Sequence, residues 1–161
     1  MMNIIEDERI KEIESAWGAK NIKVKDEYGF FLRNDNDDFE IEIYDLEKYG
    51  PKKNRSIGKA VFFMIPRDQL EDCLGMSLEN VYSEDIRIKE PYQGKGLSRI
   101  LLDESFKILK EKRKPHMALF WKKKGVERLM HQFKEQGYDE RIPNNPPVNY
   151  RNCRFLYKEY R

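Results

Sequence analysis

The chain has 161 residues, of which 39% are hydrophobic and 37% charged, and its formal net charge is +2. This length fits one globular domain with a sizeable core, and the hydrophobic fraction excludes a disordered chain. The small net charge argues against a nucleic-acid-binding protein, and no apolar run reaches the ~20 residues that span a bilayer. We therefore expect a single domain over residues 1–161.

The first half of the chain predicts one helix followed by antiparallel strands. The spacing of isoleucines predicts an N-terminal helix over residues 3–16, and residues 21–32 predict one or two short strands. Phe39, Ile41 and Ile43 alternate with glutamates, which indicates a half-buried strand. The other predictions here are a turn at 34–38, a hairpin-like connection at 49–54, a central strand at 60–65 and an irregular or short helical link at 66–80.

The second half predicts strands that alternate with helices. A strand at 81–88 leads into a helix at 97–113, and a buried strand at 116–122 leads into a helix with an apolar stripe. That stripe is formed by Val126, Leu129, Met130 and Phe133. Gly137 is predicted as the helix C-cap, 142–150 as a loop and 154–160 as a closing strand. This order predicts an α/β (α+β) fold, with a mixed, mostly antiparallel sheet that carries helices on both faces.

A glycine loop between the strand at 81–88 and the helix at 97–113 is the most informative segment. A glycine loop that opens a helix aims backbone N–H groups and the positive end of the helix dipole at one point, which suits a pyrophosphate. A Rossmann fingerprint is excluded, because Arg99 stands where its third glycine belongs. A nucleotide P-loop is excluded as well, because Gly94-Lys95 is followed by Gly96 instead of Ser or Thr. A purely structural turn stays open as an alternative.

The pattern Gln93-x-x-Gly96-x-Ser98 after an apolar strand resembles the motif of the GNAT superfamily of N-acetyltransferases. That motif reads Gln or Arg, two residues, Gly, one residue, then Gly or Ala, so Ser98 is its one departure. The resemblance implies a GNAT core fold over about 39–160 and acetyl-coenzyme A (coenzyme A) as cofactor. It further implies that the loop backbone holds the pyrophosphate and that the preceding strand faces the pantetheine arm, where strands 81–88 and 116–122 splay apart. The implied cofactor-binding residues are Ile86, Arg87, Ile88, Gln93, Gly94, Lys95, Gly96, Leu97 and Ser98.

The resemblance is weaker at the acid that protonates the leaving thiolate. In many GNAT members this acid is a tyrosine four residues before a Gly-aromatic pair. The matching pair here is Gly137-Tyr138, and Phe133, four residues earlier, cannot donate a proton. The asparagine that often stands seven residues before that tyrosine is Val126 in this chain. Either the thiolate leaves without an acid, since thiols have a pKa of ~8.5, or another side chain acts. The candidates for that role are Tyr138, His131 and Tyr150.

Acetyl transfer also needs a base that takes a proton from the amine. Glu84 is the first candidate, because in an undisturbed strand it shares one face with Ile86 and Ile88. A bulge in this strand would turn Asp85 inward instead. Glu42 is a further candidate on another strand, although its alternation with apolar residues favours a solvent-facing position.

The predicted function is therefore an N-acetyltransferase that transfers an acetyl group from acetyl-CoA to a primary amine of a small molecule or peptide. A catalytically silent coenzyme A-binding or protein-interaction module of the same fold is the alternative. The lysine clusters at 110–114 and 122–124 are predicted to be solvated ends of elements, and a polyanion patch is the less favoured interpretation. A homodimer is left open, through an edge strand at 152–160.

The cysteines and histidines predict neither a disulfide framework nor a metal site. Cys73 and Cys153 are far apart in sequence, which favours a reduced, cytoplasmic protein. His116 and His131 lack metal-ligand spacing with each other and with the cysteines. The run at 34–38 resembles part of a calcium loop, but it lacks the glycine and the closing glutamate of that motif.

Overall fold

The computed structural model describes residues 4–49, 56–64 and 68–160. Its helices are α1 (Ile4–Trp17), α2 (Asp68–Leu74), α3 (Leu97–Lys112) and α4 (Val126–Glu135), and short 3₁₀ turns lie at Glu90–Tyr92 and Val148–Tyr150. Its strands are β1 (Lys20–Lys25), β2 (Tyr28–Asp35), β3 (Asp38–Asp45), β4 (Gly58–Met64), β5 (Tyr82–Ile88), β6 (His116–Trp121), β7 (Asp139–Arg141) and β8 (Cys153–Lys158). They form a mixed, mostly antiparallel sheet in the order β1-β2-β3-β4-β5-β6-β8-β7, which confirms the predicted fold class.

The chain divides into two compact units. The first comprises Met1–Phe62 and Asp85–Phe106, and the second comprises Phe63–Glu84 and Lys107–Arg161. The interpretation of the whole chain as a single domain stays a prediction. The predicted connection at 49–54 lies, beyond Tyr49, outside the described residues. None of the helices in the described ranges is long and apolar enough to cross a membrane.

In the first unit, β1 to β4 pair as an antiparallel meander. Ile41 and Ile43 of β3 are fully buried, as their alternation predicts. The opposite face of β3 is not a solvent face, because Ile10 and Ile13 of α1 pack in one cluster with Tyr44. Glu42 on that face is half-buried, and it accepts a hydrogen bond from the Tyr44 hydroxyl at 2.7 Å. The solvent-facing position predicted for Glu42 is therefore wrong, since the alternation carries no information about the helix that covers it.

Close approach of two strands in the first unit depends on one glycine. A Cβ atom at Gly58 of β4 would lie 3.0 Å from the carbonyl oxygen of Arg87 and 3.1 Å from Cγ1 of Ile88, both in β5. The Ile57 carbonyl also accepts a hydrogen bond from the Lys89 N–H at 2.9 Å. Gly58 thereby lets the backbone at 87–89, at the end of β5, lie directly against β4.

In the second unit, β6 lies between β5 and β8. It runs parallel to β5, with Tyr82 opposite His116, and antiparallel to β8. The prediction of an edge strand at 152–160 is wrong, because β8 pairs with β6 on one side and with β7 on the other. The sequence pattern does not reveal β7, whose three residues are all exposed and therefore show no apolar alternation. Leu70, Leu78, Val81, Met117 and Phe155 belong to one buried core cluster of this unit.

Candidate functional site

The loop between β5 and α3, in the first unit, is the segment that the sequence predicts to bind a pyrophosphate. The Gln93 side-chain amide donates a hydrogen bond to the Ile88 carbonyl at 2.9 Å, which ties the loop to the end of β5. Gly94 and Gly96 both have φ of +77°, a conformation that residues with a Cβ rarely adopt, and α3 begins at the next residue, Leu97. The first N–H groups of a helix have no acceptor within the helix, so these groups are available to a bound anion.

The space in front of both glycines is open. Apart from the adjacent residues of the chain, a methyl group at Gly94 or Gly96 would meet no protein atom within 4 Å, and both residues are exposed. Leu97 is buried and anchors the start of α3, whereas Lys95 and Ser98 on either side of it are exposed. Glycine is thus required by the backbone conformation, and a bound group can approach that backbone without meeting a side chain. The loop residues therefore fit the pyrophosphate of coenzyme A.

The strand that leads into this loop has one half-buried and one exposed side. Ile86 and Ile88 are half-buried, whereas Arg87 is exposed. The Arg87 guanidinium lies 3.2 Å from a carboxylate oxygen of Asp85, which is itself exposed. Asp85 therefore does not point inward. The alternative prediction, in which a bulge in this strand would turn Asp85 inward in place of Glu84, is wrong.

The second unit contains a buried chain of polar side chains that begins at Glu84. The Glu84 side chain is 6% exposed, and its Oε2 lies 2.9 Å from Nε2 of His116, which is fully buried. The other ring nitrogen, Nδ1, lies 2.6 Å from the Tyr138 hydroxyl, and that hydroxyl lies 2.7 Å from the hydroxyl of Tyr160. The second carboxylate oxygen of Glu84 accepts a hydrogen bond from the Leu119 N–H of β6 at 3.2 Å. This N–H is therefore bonded to a side chain and not to the backbone carbonyl of a neighbouring strand.

Burial shifts the acidity of these groups. Burial raises the pKa of Glu84 above its ordinary value, although His116 and the Leu119 N–H act in the opposite direction. Burial and the neighbouring Tyr160 raise the pKa of Tyr138 well above its ordinary value. Burial raises the pKa of Tyr160 to about 12. Both tyrosines are therefore neutral hydrogen-bonding groups at physiological pH.

The turn at the C-terminus of α4 brings Tyr138 into contact with the buried polar side chains that begin at Glu84. Gly137 has φ of +93°, as expected for the predicted cap, and the Tyr138 N–H turns back to the Phe133 carbonyl at 3.3 Å. Phe133 is fully buried, with its ring 5.1 Å from that of Tyr138 and 5.0 Å from that of Phe120. The position where many GNAT members have a tyrosine is thus occupied by a core phenylalanine.

The two remaining candidates for the acid, His131 and Tyr150, lie elsewhere on the second unit. His131 is exposed and pairs with Glu135 on the same helix face at 2.8 Å. Tyr150 stacks on Trp121, with ring centroids 6.4 Å apart. Among the described residues, no group of three or more His, Cys, Asp or Glu side chains could hold a metal ion.

Sequence reasoning misses His116 and Tyr160 as members of a polar chain. The sequence gives His116 no role, because its spacing does not fit a metal site, and it places Tyr160 only in the closing strand. One signal is available for His116, because it opens the apolar run of β6 and a polar residue in a buried strand requires a partner. No local pattern indicates that Tyr160 is the last member of this line of polar side chains. Its hydroxyl contacts that of Tyr138, which lies 22 positions away in the sequence.

Neither the comparison with protein-family models nor that with curated proteins gives a match. Solved structures do match, among them a ribosomal-protein-S5-alanine acetyltransferase from Vibrio fischeri, with a TM-score of 0.51 and 14% identity over 78% of this chain and 63% of that one. A dodecameric structure of spermidine N-acetyltransferase from Vibrio cholerae matches with a TM-score of 0.50 and 16% identity over 78% of this chain and 67% of that one. A protein from Acinetobacter baylyi ADP1 classed as an acetyltransferase matches with a TM-score of 0.53 and 14% identity over 77% of this chain and 64% of that one.

The chain thus spans a little under two thirds of the Vibrio fischeri and Acinetobacter proteins. At identities of 14–16% the likeness is one of fold.

Proposed function

We propose that this chain, which has the fold of the GNAT N-acetyltransferases, transfers an acetyl group from acetyl-coenzyme A to a primary amine. The observation that carries the proposal is the loop after β5, where two exposed glycines at φ +77° precede the N-terminus of α3. In the GNAT fold a loop at this place binds the pyrophosphate of the cofactor, and the motif of that loop aligns with Gln93, Gly96 and Ser98. Open space alone does not distinguish this loop, because Gly18 and Gly75 have it too, so the proposal rests on two such glycines standing together before a helix.

In this proposal the loop and the end of β5 hold the cofactor. The backbone from Gln93 to Ser98, which includes Lys95 and Leu97, surrounds the pyrophosphate, and the backbone of Ile86, Arg87 and Ile88 faces the pantetheine arm. Gly58 supports this arrangement indirectly, because the β5 backbone is held against β4 at Arg87 and Ile88. Acetyl-CoA would supply the acetyl group as a thioester.

Glu84 is the proposed general base. The amine nitrogen attacks the acetyl carbonyl carbon, the bond between that carbon and sulfur breaks, and the proton of the amine passes to Glu84 directly or through water. A carboxyl group whose pKa is raised by burial suits this role, because a base works best when its pKa is near the working pH.

Tyr138 is a weaker candidate for the acid than its place in the sequence suggests. Its pKa lies well above the ordinary tyrosine value, whereas that of a thiol is ~8.5, so proton transfer from Tyr138 to the thiolate runs uphill. Its hydroxyl is also engaged by His116 and Tyr160. We therefore infer that the thiolate leaves without this proton, and that Tyr138 acts through His116 instead.

Calorimetric titration with acetyl-CoA and with coenzyme A tests the proposal. Binding at micromolar concentration is expected, and Gly96→Trp is expected to abolish it, because the indole would fill the open space in front of the loop. No binding by the natural chain, or unchanged affinity in Gly96→Trp, would show that the loop is not the cofactor site.

A catalytically silent coenzyme A-binding module is the second candidate. Phe133 favours it, because this fully buried side chain occupies the position of the family acid and cannot exchange a proton. An assay for thiol release from acetyl-CoA with a panel of amines distinguishes the two candidates. The panel includes spermidine and peptides with a free amino terminus, because solved relatives in fold are named for spermidine and for an alanine of ribosomal protein S5. Steady thiol release with any acceptor excludes the silent module.

Location and assembly complete the proposal. The two cysteines are free and buried, which supports the proposed cytoplasmic location. The homodimer remains a proposal without an assigned surface, because β8 is paired on both sides. Analytical ultracentrifugation at micromolar concentration measures the assembly state directly.

A further inference from the structure

We propose that His116 is a positioning residue for Glu84, held by Tyr138 and Tyr160 in the tautomer that carries its proton on Nε2. The inference rests on the proposed function, in which Glu84 is the base. It starts from four side chains that are at least nine-tenths buried and joined in one unbroken line: Glu84, His116, Tyr138 and Tyr160. Each contact in that line is 2.6–2.9 Å long, within the range of a hydrogen bond.

For a neutral His116 ring, hydrogen-bonding capacity allows one consistent set of donors in this line. When Glu84 is ionised it only accepts, so Nε2 of His116 must carry the proton that it donates. Nδ1 of the neutral ring is then an acceptor and takes the Tyr138 hydroxyl proton. The Tyr138 oxygen in turn accepts from the Tyr160 hydroxyl. Every donor in this set points toward Glu84, and the two tyrosines support the tautomer that Glu84 requires.

This arrangement holds both carboxylate oxygens in place. Oε2 accepts from His116, and Oε1 accepts from the Leu119 N–H on the same strand, β6. A carboxylate accepts about four hydrogen bonds, so each oxygen keeps a lone pair for an amine or a water. His116 thus fixes the rotamer of Glu84 without consuming its basic site.

The described groups that act on the Glu84 carboxyl lie on β6 and after α4. They are His116, the Leu119 N–H and, more weakly, the Tyr138 hydroxyl. Burial favours the neutral acid, and the His116 and Leu119 donors favour the carboxylate. Loss of the donor from His116 should therefore move the ionisation of Glu84 to higher pH.

The first test uses the whole chain labelled with nitrogen-15 at histidine and carbon-13 at glutamate. At pH 7 the His116 ring is expected to show a proton on Nε2 and a bare Nδ1 that accepts a hydrogen bond, and Tyr138→Phe is expected to change the nitrogen-15 shift of Nδ1, because it removes the donor to that atom. A ring protonated on Nδ1 in the natural chain, or an unchanged Nδ1 shift in Tyr138→Phe, would overturn the assignment. This readout does not require activity.

The second test compares two variants of similar size. His116→Gln retains an N–H group near the place of Nε2, whereas His116→Asn reaches only toward the Tyr138 side. Glu84, followed by its carboxyl carbon-13 shift, should titrate close to its natural pH in His116→Gln and about one pH unit higher in His116→Asn. Equal titration in the two variants would refute a role for the Nε2–H donor.

The third test is the pH profile of thiol release. The acid limb of kcat is expected to move up by about one pH unit in Tyr138→Phe and by less in Tyr160→Phe, with little change in KM. Tyr157→Phe is the matched control, because its hydroxyl bonds to Glu159 instead of to this line. A loss of stability with an unmoved pH profile would show a merely structural role. If the natural chain binds coenzyme A but releases no thiol, the proposed function fails, whereas the two spectroscopic tests still decide the role of His116.

Discussion

Replacement of Gly96 by alanine separates the conformational role of the loop from its proposed binding role. The added methyl group changes two things at once. It introduces a Cβ atom at φ +77°, which strains the backbone, and it places a carbon in the open space where we propose that the pyrophosphate lies. Beyond Gly96 itself and its two neighbours in the chain, no protein atom lies within 4 Å of that carbon, so the free protein is destabilised by the strain alone.

The size of both effects can be worked out. A residue with a Cβ in the left-handed region costs ~1–2 kcal/mol. Replacement of glycine by alanine also lowers the entropy of the unfolded chain, which returns ~0.4–1 kcal/mol. The net loss of stability is therefore about 1 kcal/mol. Hydrogen bonds to a charged group contribute ~1.5–3 kcal/mol, so displacement of one phosphate contact should weaken binding by about 10- to 150-fold.

Gly75→Ala and Gly18→Ala are matched controls. These glycines have φ of +64° and +60°, and an added Cβ at either would also meet nothing within 4 Å. Urea unfolding should therefore give a similar loss of stability for all three variants. Calorimetry with coenzyme A should show weaker binding for Gly96→Ala alone. Affinities that agree within about twofold across the three variants would refute the loop as the phosphate site.

Three further predictions follow from particular contacts. Gly58→Ala should destabilise the chain by ~1–3 kcal/mol, because its Cβ would lie 3.0 Å from a backbone oxygen of β5, and an unchanged midpoint of urea unfolding would contradict this. Phe133→Tyr should cost ~1–3 kcal/mol in the same assay unless the added hydroxyl finds a partner, because this side chain is fully buried. Glu84 binds its proton more tightly in the folded chain than in the unfolded one, so its contribution to stability is present below its unfolded pKa of ~4.3 and is lost as the pH rises through its folded pKa. Glu84→Gln should therefore gain in stability relative to the natural chain as the pH rises above ~4.3, and parallel stability curves would count against a raised pKa.

The elements with local signals are predictable from the sequence. Apolar spacing locates α1 and α4, and period-two alternation locates β3, because helices and strands impose those periods on neighbouring residues. The glycine loop is predictable for the same reason, since the conformations of Gly94 and Gly96 depend on their own backbone. The cap at Gly137 is a third feature of this kind.

Only the tertiary structure decided the environment of each side chain. The position of Glu42 depends on α1, which covers its face of β3, and the edge of the sheet depends on β7, whose exposed residues carry no pattern. The line from Glu84 through His116 and Tyr138 to Tyr160 joins residues that are 22–32 positions apart. No period or motif encodes such contacts, because they arise when strands and helix ends meet in space. The sequence by itself therefore determined the loop where we propose that an anion is held, and the fold determined which buried groups accompany the carboxylate that we propose as the base.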